Sequence, residues 1–183
     1  MFDRLFHQRN QPEGNLRQHA EILSLVYSFS VKSLDVEVDE LAVLGEIGGI
    51  SREQLFRSTS ELLRRGIAQQ RSHWRAILPH AIANRLANDA LANVPIETLL
   101  RTFEAPGRER LLLSFAHRLG LMHDHPVAQQ IVKSWLVAGG PVETGFRLGR
   151  HERADSRLYR ARRTRGRPRA DRGRDEFSRI LRV

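Results

Sequence analysis

The chain has 183 residues, 40% of them hydrophobic, which is enough for one ordinary domain or two small ones. It has no cysteine, which excludes disulfides, zinc fingers and thiol catalysis, and it shows no apolar signal segment or membrane-spanning run, so we expect a cytoplasmic protein. Its formal net charge of +9 is unevenly placed, because residues 1–140 carry 16 Lys and Arg against 15 Asp and Glu, whereas residues 141–183 carry 14 Arg against 6 acids.

A first helix is predicted over residues 15–29, where apolar residues recur on one face. Its buried stripe consists of Leu16, Ile22, Leu23, Val26 and Phe29. A connector follows, with a short strand predicted at residues 36–38. The segment DELAVLGEIGG (39–49) then predicts a short amphipathic helix that ends at a glycine pair.

A second helix is predicted directly after this turn, over residues 52–66. Ser51 is a good N-cap, and Gln54 three residues later can complete a reciprocal capping box. Gly66 stands where the left-handed residue that ends a helix is wanted. The predicted apolar face consists of Leu55, Phe56, Leu62 and Leu63.

Two short runs at residues 67–71 and 74–78 flank Ser72 and His73, a gap of hairpin length without the glycine chemistry that a tight turn favours. Helix, turn, helix and wing in this order predict a winged-helix-like domain over residues 1–78. We expect Trp74 to pack the hairpin onto the core rather than to stack on a base.

A small helical array is predicted over residues 79–140. Pro79 and Pro95 each stand at the start of a helix, and the Ala-rich face of the first allows close packing. The strongest amphipathic pattern covers residues 108–121, and a last helix covers residues 126–137. Core candidates of the strongest helix are Leu111, Leu112, Phe115, Leu119 and Leu121. The predicted fold class is mainly α, a winged helix-turn-helix followed by a small helical array.

The composition changes after Pro141. Residues 141–183 are rich in Arg, Gly and Asp and have few apolar residues, so they are predicted to form a disordered Arg-rich tail. Three interpretations stay open: an arm that binds nucleic acid, a solvated extension without function, and the product of a GC-rich gene read out of frame. Translation of the other reading frames tests the third.

No catalytic motif is recognisable, and we expect neither enzyme activity nor a cofactor. Adjacent side chains in the His-Asp-His run at residues 123–125 diverge, and a third metal ligand at the usual spacing is missing. Ser60 and Ser114 have no recognisable His or acid arrangement. The glycine cluster at residues 45–49 has no following Lys, so the phosphate-binding loop G-x-x-x-x-G-K-[ST] is absent.

Three stretches carry a resemblance to a known family, namely ELLRRGIAQQR (61–71), WRAILPHAIANRLA (74–87) and ERLLLSFAHRLGLMHDH (109–125). They resemble the non-catalytic winged-helix and helical middle region of bacterial signal-transduction ATPases with numerous domains, the STAND-type (AAA/NACHT-like) ATP-binding proteins. The resemblance implies ATP-dependent switching or oligomerisation by a protein in which this module follows a nucleotide-binding domain. Without the phosphate-binding loop, it implies a fragment or a stand-alone relative of that middle region.

Two functions from different classes follow from these features. The first is a structural and regulatory joint that contacts a protein partner or a nucleotide-binding domain supplied by another chain. The second is a DNA-binding transcriptional regulator that reads the major groove, helped by the Arg-rich tail. Its candidate nucleic-acid-binding residues are Arg52, Arg57, Arg64, Arg65, Arg71 and Arg75. Because residues 1–140 are close to neutral and Glu53 and Glu61 interrupt the basic helix, charge placement favours the joint.

Overall fold

Helices dominate the part of the chain that the computed structural model describes, which is Phe6, residues 15–32 and residues 38–136. The chain is mainly α, as predicted. Within those ranges the helices are α1 (Asn15–Ser24), α2 (Glu40–Gly48), α3 (Arg52–Arg64), α4 (His80–Asn93), α5 (Ile96–Phe103), α6 (Glu109–Gly120) and α7 (Pro126–Leu136). The strands are β1 (Phe29–Ser30), β2 (Ala68–Arg71) and β3 (Trp74–Ile77).

The first helix is shorter than predicted, because α1 ends at Ser24 rather than at Phe29. The backbone N–H of Tyr27 donates to the carbonyl of Ser114 (3.0 Å), and Phe29 pairs with Arg75 in the sheet. These bonds to distant residues replace the last turn of the helix. The five residues of the predicted stripe are nevertheless all buried. The strand predicted at residues 36–38 falls largely outside the described residues.

Local capping fixes α2 and α3 much as predicted. The Asp39 carboxylate accepts from two backbone N–H groups at the start of α2, and Ser51 and Gln54 form the reciprocal capping box of α3. Gly66 has the expected positive φ of 69°. At Gly45 a Cβ atom would lie 2.2 Å from the carbonyl oxygen of Ile50, so only glycine allows this close approach at the turn between the helices.

The three strands form one antiparallel sheet in the order β1-β3-β2. The predicted hairpin is present, with Ala68 opposite Ile77 and Arg71 opposite Trp74. Its turn closes through Ser72, which adopts a φ of 55° without help from glycine. The side-chain amide of Gln70 donates to the Ser72 carbonyl (2.9 Å) and holds that conformation.

The helices after the hairpin share one core with the first half of the chain, since α4 packs along α1. The predicted boundary between residues 78 and 79 is thus crossed by apolar contacts, and the division into domains stays a prediction. Of the core candidates in α6, Leu111, Phe115 and Leu119 are buried, whereas Leu121 is 41% exposed and was wrongly placed in the core. The helix turns Arg118 inwards instead.

Aromatic side chains pack α5, α6 and α7 together near the C-terminal end of the described residues. The rings of Phe103 and Phe115 stack with centroids 4.1 Å apart, and Trp135 meets Phe115 edge-on at 5.9 Å. The Trp135 indole N–H donates to the Glu104 carboxylate (2.7 Å), so α7 is fixed to α5 and α6. Across the described ranges, the helices are all too short or too polar to cross a membrane. The predicted tail at residues 141–183 lies outside the described residues.

Candidate functional site

Arg52, the first candidate DNA-contacting residue, is engaged within the protein. Its Nε donates to the carboxylate of Asp39 at 2.5 Å, and its terminal nitrogen donates to the Val31 carbonyl at 3.4 Å. Asp39 is itself the N-cap of α2. The guanidinium therefore ties the start of α3 to the start of α2.

Arg64 and Arg65 share one carboxylate at the end of α3. Arg65 pairs with Glu61 at 2.6 Å, and Arg64 forms a second ion pair with the same side chain. The hydrogen bond from Arg65 is the main cause that lowers the pKa of Glu61. The Arg64 side chain is 77% exposed, so its pair is the weaker of the two in water.

The remaining candidates differ sharply in access to solvent. Arg57 on α3 and Arg71 on β2 are exposed, and neither has an ion-pair or hydrogen-bond partner among the described residues. Arg75 is 7% exposed and points to the interior. Of the six candidates, Arg57 and Arg71 have side chains with no partner among the described residues, and Arg75 is buried.

A set of polar contacts that sequence reasoning missed joins α6 to the sheet and to α2. Arg110 forms an ion pair with the buried carboxylate of Glu40 and donates to the Ser28 carbonyl at 3.1 Å. The Ser114 hydroxyl donates to the same carbonyl at 2.6 Å and accepts from the Ser28 N–H at 2.9 Å. Glu40 also accepts from the Ser30 N–H at 2.6 Å. We call these contacts the α6 clasp.

Arg118 is fully buried one turn beyond the α6 clasp. Its guanidinium donates to the side-chain oxygen of Asn84 (2.7 Å) and to the Val26 carbonyl (3.4 Å), and its carbon lies 5.6 Å from the Tyr27 ring centroid. The Nε atom has no hydrogen-bond partner, and no carboxylate of the described residues pairs with the group. Burial lowers the pKa of Arg118 to about 10, which still leaves it charged at neutral pH.

Arg75 is a second buried arginine with neutral partners. It donates to the Gln70 side-chain oxygen (3.0 Å) and to the Thr59 hydroxyl (2.5 Å), and it lies over the Phe56 ring at 5.0 Å. Burial lowers the pKa of Arg75 as well. A signal for Arg118 existed in the sequence, since it lies three residues after Phe115 on the predicted buried face of α6.

The outer face of the sheet opens into a groove of about 340 Å³, which we call the sheet groove; Arg75 contributes to its lining, and Arg118 contacts Tyr27 of its wall. The register places Arg71 beside Trp74 and Gln69 beside Ala76 on this face, with Arg75 on the opposite face. Tyr27 and His80 form the far wall. Among the described residues that line the groove there is neither Asp nor Glu.

Aromatic contacts stiffen both ends of the sheet groove. The Tyr27 ring stacks with the His117 ring at 4.0 Å and with the His80 ring at 5.4 Å. Arg110 covers the Trp74 ring at 4.5 Å. Trp74 therefore contacts α6 through Arg110, but it is half-buried and lies outside the core cluster of the described residues, so the expectation that it packs the hairpin onto the core is not met.

Other candidate chemistry is not assembled in the described part of the chain. His123 and Asp124 lie 3.4 Å apart at the surface, and no group of three potential metal ligands occurs within residues 15–32 and 38–136. The Ser60 hydroxyl donates to the Phe56 carbonyl of its own helix (3.0 Å). Ser114 is bound to the Ser28 backbone, which assigns it a structural contact.

Comparisons with protein-family profiles, with curated proteins and with solved structures find no match to this chain.

Proposed function

We propose that this protein is a non-enzymatic joint, a winged helix coupled to a short helical array, that mediates contacts with protein partners. In this proposal α2 and α3 form the helix-turn-helix and the β2–β3 hairpin is the wing. The order of elements and the strand order β1-β3-β2 support that assignment. The proposal includes a relation to the middle region of STAND-type ATPases, in which such a module connects the nucleotide-binding domain to the rest of the protein.

The α6 clasp is the observation that carries the proposal. A joint transmits force or conformation only if its two halves move together, and buried, charge-assisted hydrogen bonds hold two elements in one geometry. Arg110 and Ser114 reach across 82 and 86 residues of sequence to the same carbonyl of Ser28. A displacement of α6 therefore displaces β1 and, through Glu40, the start of α2.

The arrangement of charge supports the joint over a DNA-binding module. Non-specific affinity for DNA grows with the number of phosphates that Lys and Arg neutralise. On α3, Arg52 pairs with Asp39, and Arg64 and Arg65 share the carboxylate of Glu61, so two of the three positive charges are balanced by acids of the protein itself. DNA binding remains the second candidate because Arg57 and Arg71 are exposed and without partners among the described residues.

Native-state hydrogen exchange on the full chain tests the joint. We expect the amides of α6 and of residues 25–30 to exchange through one cooperative opening, since they are hydrogen-bonded to each other. The variant Ser114→Ala should accelerate exchange in both segments. Ser134→Ala is the matched control, because the Ser134 hydroxyl donates to the Ile131 carbonyl of its own helix. Faster exchange confined to α6 in Ser114→Ala would overturn the proposal.

Salt-dependent binding of a DNA duplex to the full chain tests the second candidate. We expect an Arg57→Ala, Arg71→Ala double variant to bind like the original chain, because any affinity then comes from residues 141–183. Sub-micromolar affinity that falls steeply with salt and is lost in the double variant would establish a DNA-binding winged helix instead. A neighbouring reading frame for a P-loop ATPase would support the STAND relation, whereas an isolated gene beside an operator-like palindrome would favour a repressor.

A further inference from the structure

Two buried positive charges lie close to the sheet groove, and no carboxylate of the described residues pairs with either of them. Arg75 lies beneath the sheet and Arg118 lies behind Tyr27, and both donate to neutral oxygens. At the groove entrance, Arg71 is exposed and has no partner in the described part of the chain. Arg110 is left out of this set, because Glu40 balances its charge.

Burial of positive charges that donate to neutral oxygens costs free energy of folding when no anion is bound nearby. Buried charges are normally paired, since an isolated ion loses its hydration without gaining an opposite charge. The field of a buried charge is also weakly screened, so it extends into a nearby cleft. In the sheet groove the fields of Arg75, Arg118 and Arg71 add, and the described lining residues include no carboxylate that opposes them. An anionic ligand in the groove would supply the missing negative charge.

We propose that the sheet groove binds an extended acidic segment of a partner protein, with its carboxylates between Arg71 and the wall formed by Tyr27 and His80. The proposal rests on the proposed function only in taking the partner to be a protein. Residues of β2 and β3 line the groove, and an extended chain is the form in which a peptide runs along strands. On α6 the 52% exposed Leu113 lies one helical turn from Arg110 and from His117, which contact Trp74 and Tyr27 of the groove lining, and it offers an apolar contact for an adjacent side chain.

The geometry favours a peptide over a single-stranded nucleic acid. Single strands bind through free aromatic faces together with a track of positive charges. Here Arg110 already covers the Trp74 ring, and His117 stacks on the Tyr27 ring. Among the described lining residues, Arg71 is the one exposed arginine, which is too few for a track along a phosphate backbone. A short segment with two or three carboxylates matches the groove better.

The test uses a labelled heptapeptide of alternating Glu and Leu, titrated into the ¹⁵N-labelled full chain and followed by amide chemical shifts. Shift mapping separates the groove from the Arg-rich residues 141–183, which also attract acidic peptides. We expect the largest shifts at Gln69, Arg71, Trp74, Ala76 and His80. The same peptide with Gln in place of Glu should bind at least about tenfold more weakly, because the charge is the recognised feature.

Two substitutions and one control make the result specific. Arg71→Glu should weaken binding in the groove by about tenfold or more, since it reverses the charge at the entrance. Arg101→Glu makes the same change at an exposed arginine of α5 outside the groove lining and should leave the groove shifts unchanged. Ala76→Phe fills the groove without altering charge and should abolish the shifts. Circular dichroism melts show whether each variant is folded.

Three results would overturn the proposal. They are shifts confined to residues outside the groove, equal weakening by Arg71→Glu and Arg101→Glu, and an oligothymidylate that displaces the peptide from the groove. The last result would identify the groove as a nucleic-acid site. Loss of peptide binding leaves cooperative exchange across the α6 clasp intact, so a failure here is distinguishable from a failure of the proposed joint.

Discussion

The arginines of α3 and the arginines beside the sheet groove differ in the kind of group to which they donate hydrogen bonds. Arg52, Arg64 and Arg65 each pair with a carboxylate close to the surface. Arg75 and Arg118 are buried and, within the described ranges, donate only to neutral oxygens. The comparison teaches that the number of arginines on a helix is a poor guide to where a protein binds anions. What counts is which of the charges remain unbalanced.

Among substitutions in the two regions, we expect truncation of Arg118 to cause the largest loss in the free energy of unfolding. Arg118→Ala leaves a cavity and two acceptors without a donor, so we expect a loss of about 3 kcal/mol in the free energy of unfolding. Arg118→Met should recover part of this loss, because it fills the space and removes an unpaired charge. Urea denaturation followed by circular dichroism measures both.

Arg52→Ala is the counterpart on α3 and should cost below about 1 kcal/mol, because its ion pair is partly exposed. An equal loss in the free energy of unfolding for Arg118→Ala and Arg52→Ala would contradict the expected difference between the two regions. If Arg118→Met is as stable as the original chain, the charge of Arg118 contributes nothing to the free energy of folding, and the contrast with Arg52 is stronger.

We expect an intermediate loss in the free energy of unfolding when the hydrogen bond between Arg75 and Thr59 of α3 is removed. Thr59 is fully buried, accepts from Arg75 and donates to the Phe56 carbonyl (2.8 Å). Thr59→Val keeps the shape but removes the acceptor, so we expect a loss of about 2 kcal/mol in chemical denaturation. Ser60→Ala is the control, because the Ser60 hydroxyl donates to the same carbonyl from an exposed position. A Thr59→Val loss no larger than that of Ser60→Ala would show that Arg75 does not depend on this oxygen.

The smallest effect concerns Glu61 and depends on pH. Because its pKa in the folded protein is lowered from the ordinary 4.5, chiefly by the Arg65 hydrogen bond, its contribution is full above pH 4.5 and is lost as the pH falls through the folded pKa. Glu61→Gln should therefore lower stability by under about 1 kcal/mol at pH 7 and have no effect in strong acid. Thermal melts at a series of pH values measure this. A variant that is equally destabilised in acid would show that the ion pairs are not the cause.

The sequence predicted well those features that are decided within a few residues. Ser51 and Gln54 belong to one turn, and so the capping box of α3 was readable, as was the end of that helix at Gly66. The end of α1 was not readable, because the bond that replaces its last turn joins Tyr27 to Ser114. Leu121 shows the same limit, since an apolar residue at the right period is exposed where the helix ends.

The candidate site was harder to predict than the fold. The six arginines were chosen for their place on the helix and hairpin, but their partners come from other elements, as Asp39 does for Arg52. The position of Arg118 on the buried face of α6 was readable, but its partner was not, since its acceptor on Asn84 belongs to a different helix. Charge patterns therefore locate candidate residues, whereas only tertiary contacts decide which of them stay available to a ligand.

The two tryptophans of the chain occupy opposite environments, and this gives the protein two independent optical reporters. Trp135 is 2% exposed in the aromatic packing of α5, α6 and α7, so its emission follows the integrity of the interior. Trp74 borders the sheet groove between Arg110 and His73, so its emission follows events at that surface. A pair of single-tryptophan proteins would let unfolding and ligand binding be recorded separately by fluorescence, without any attached dye.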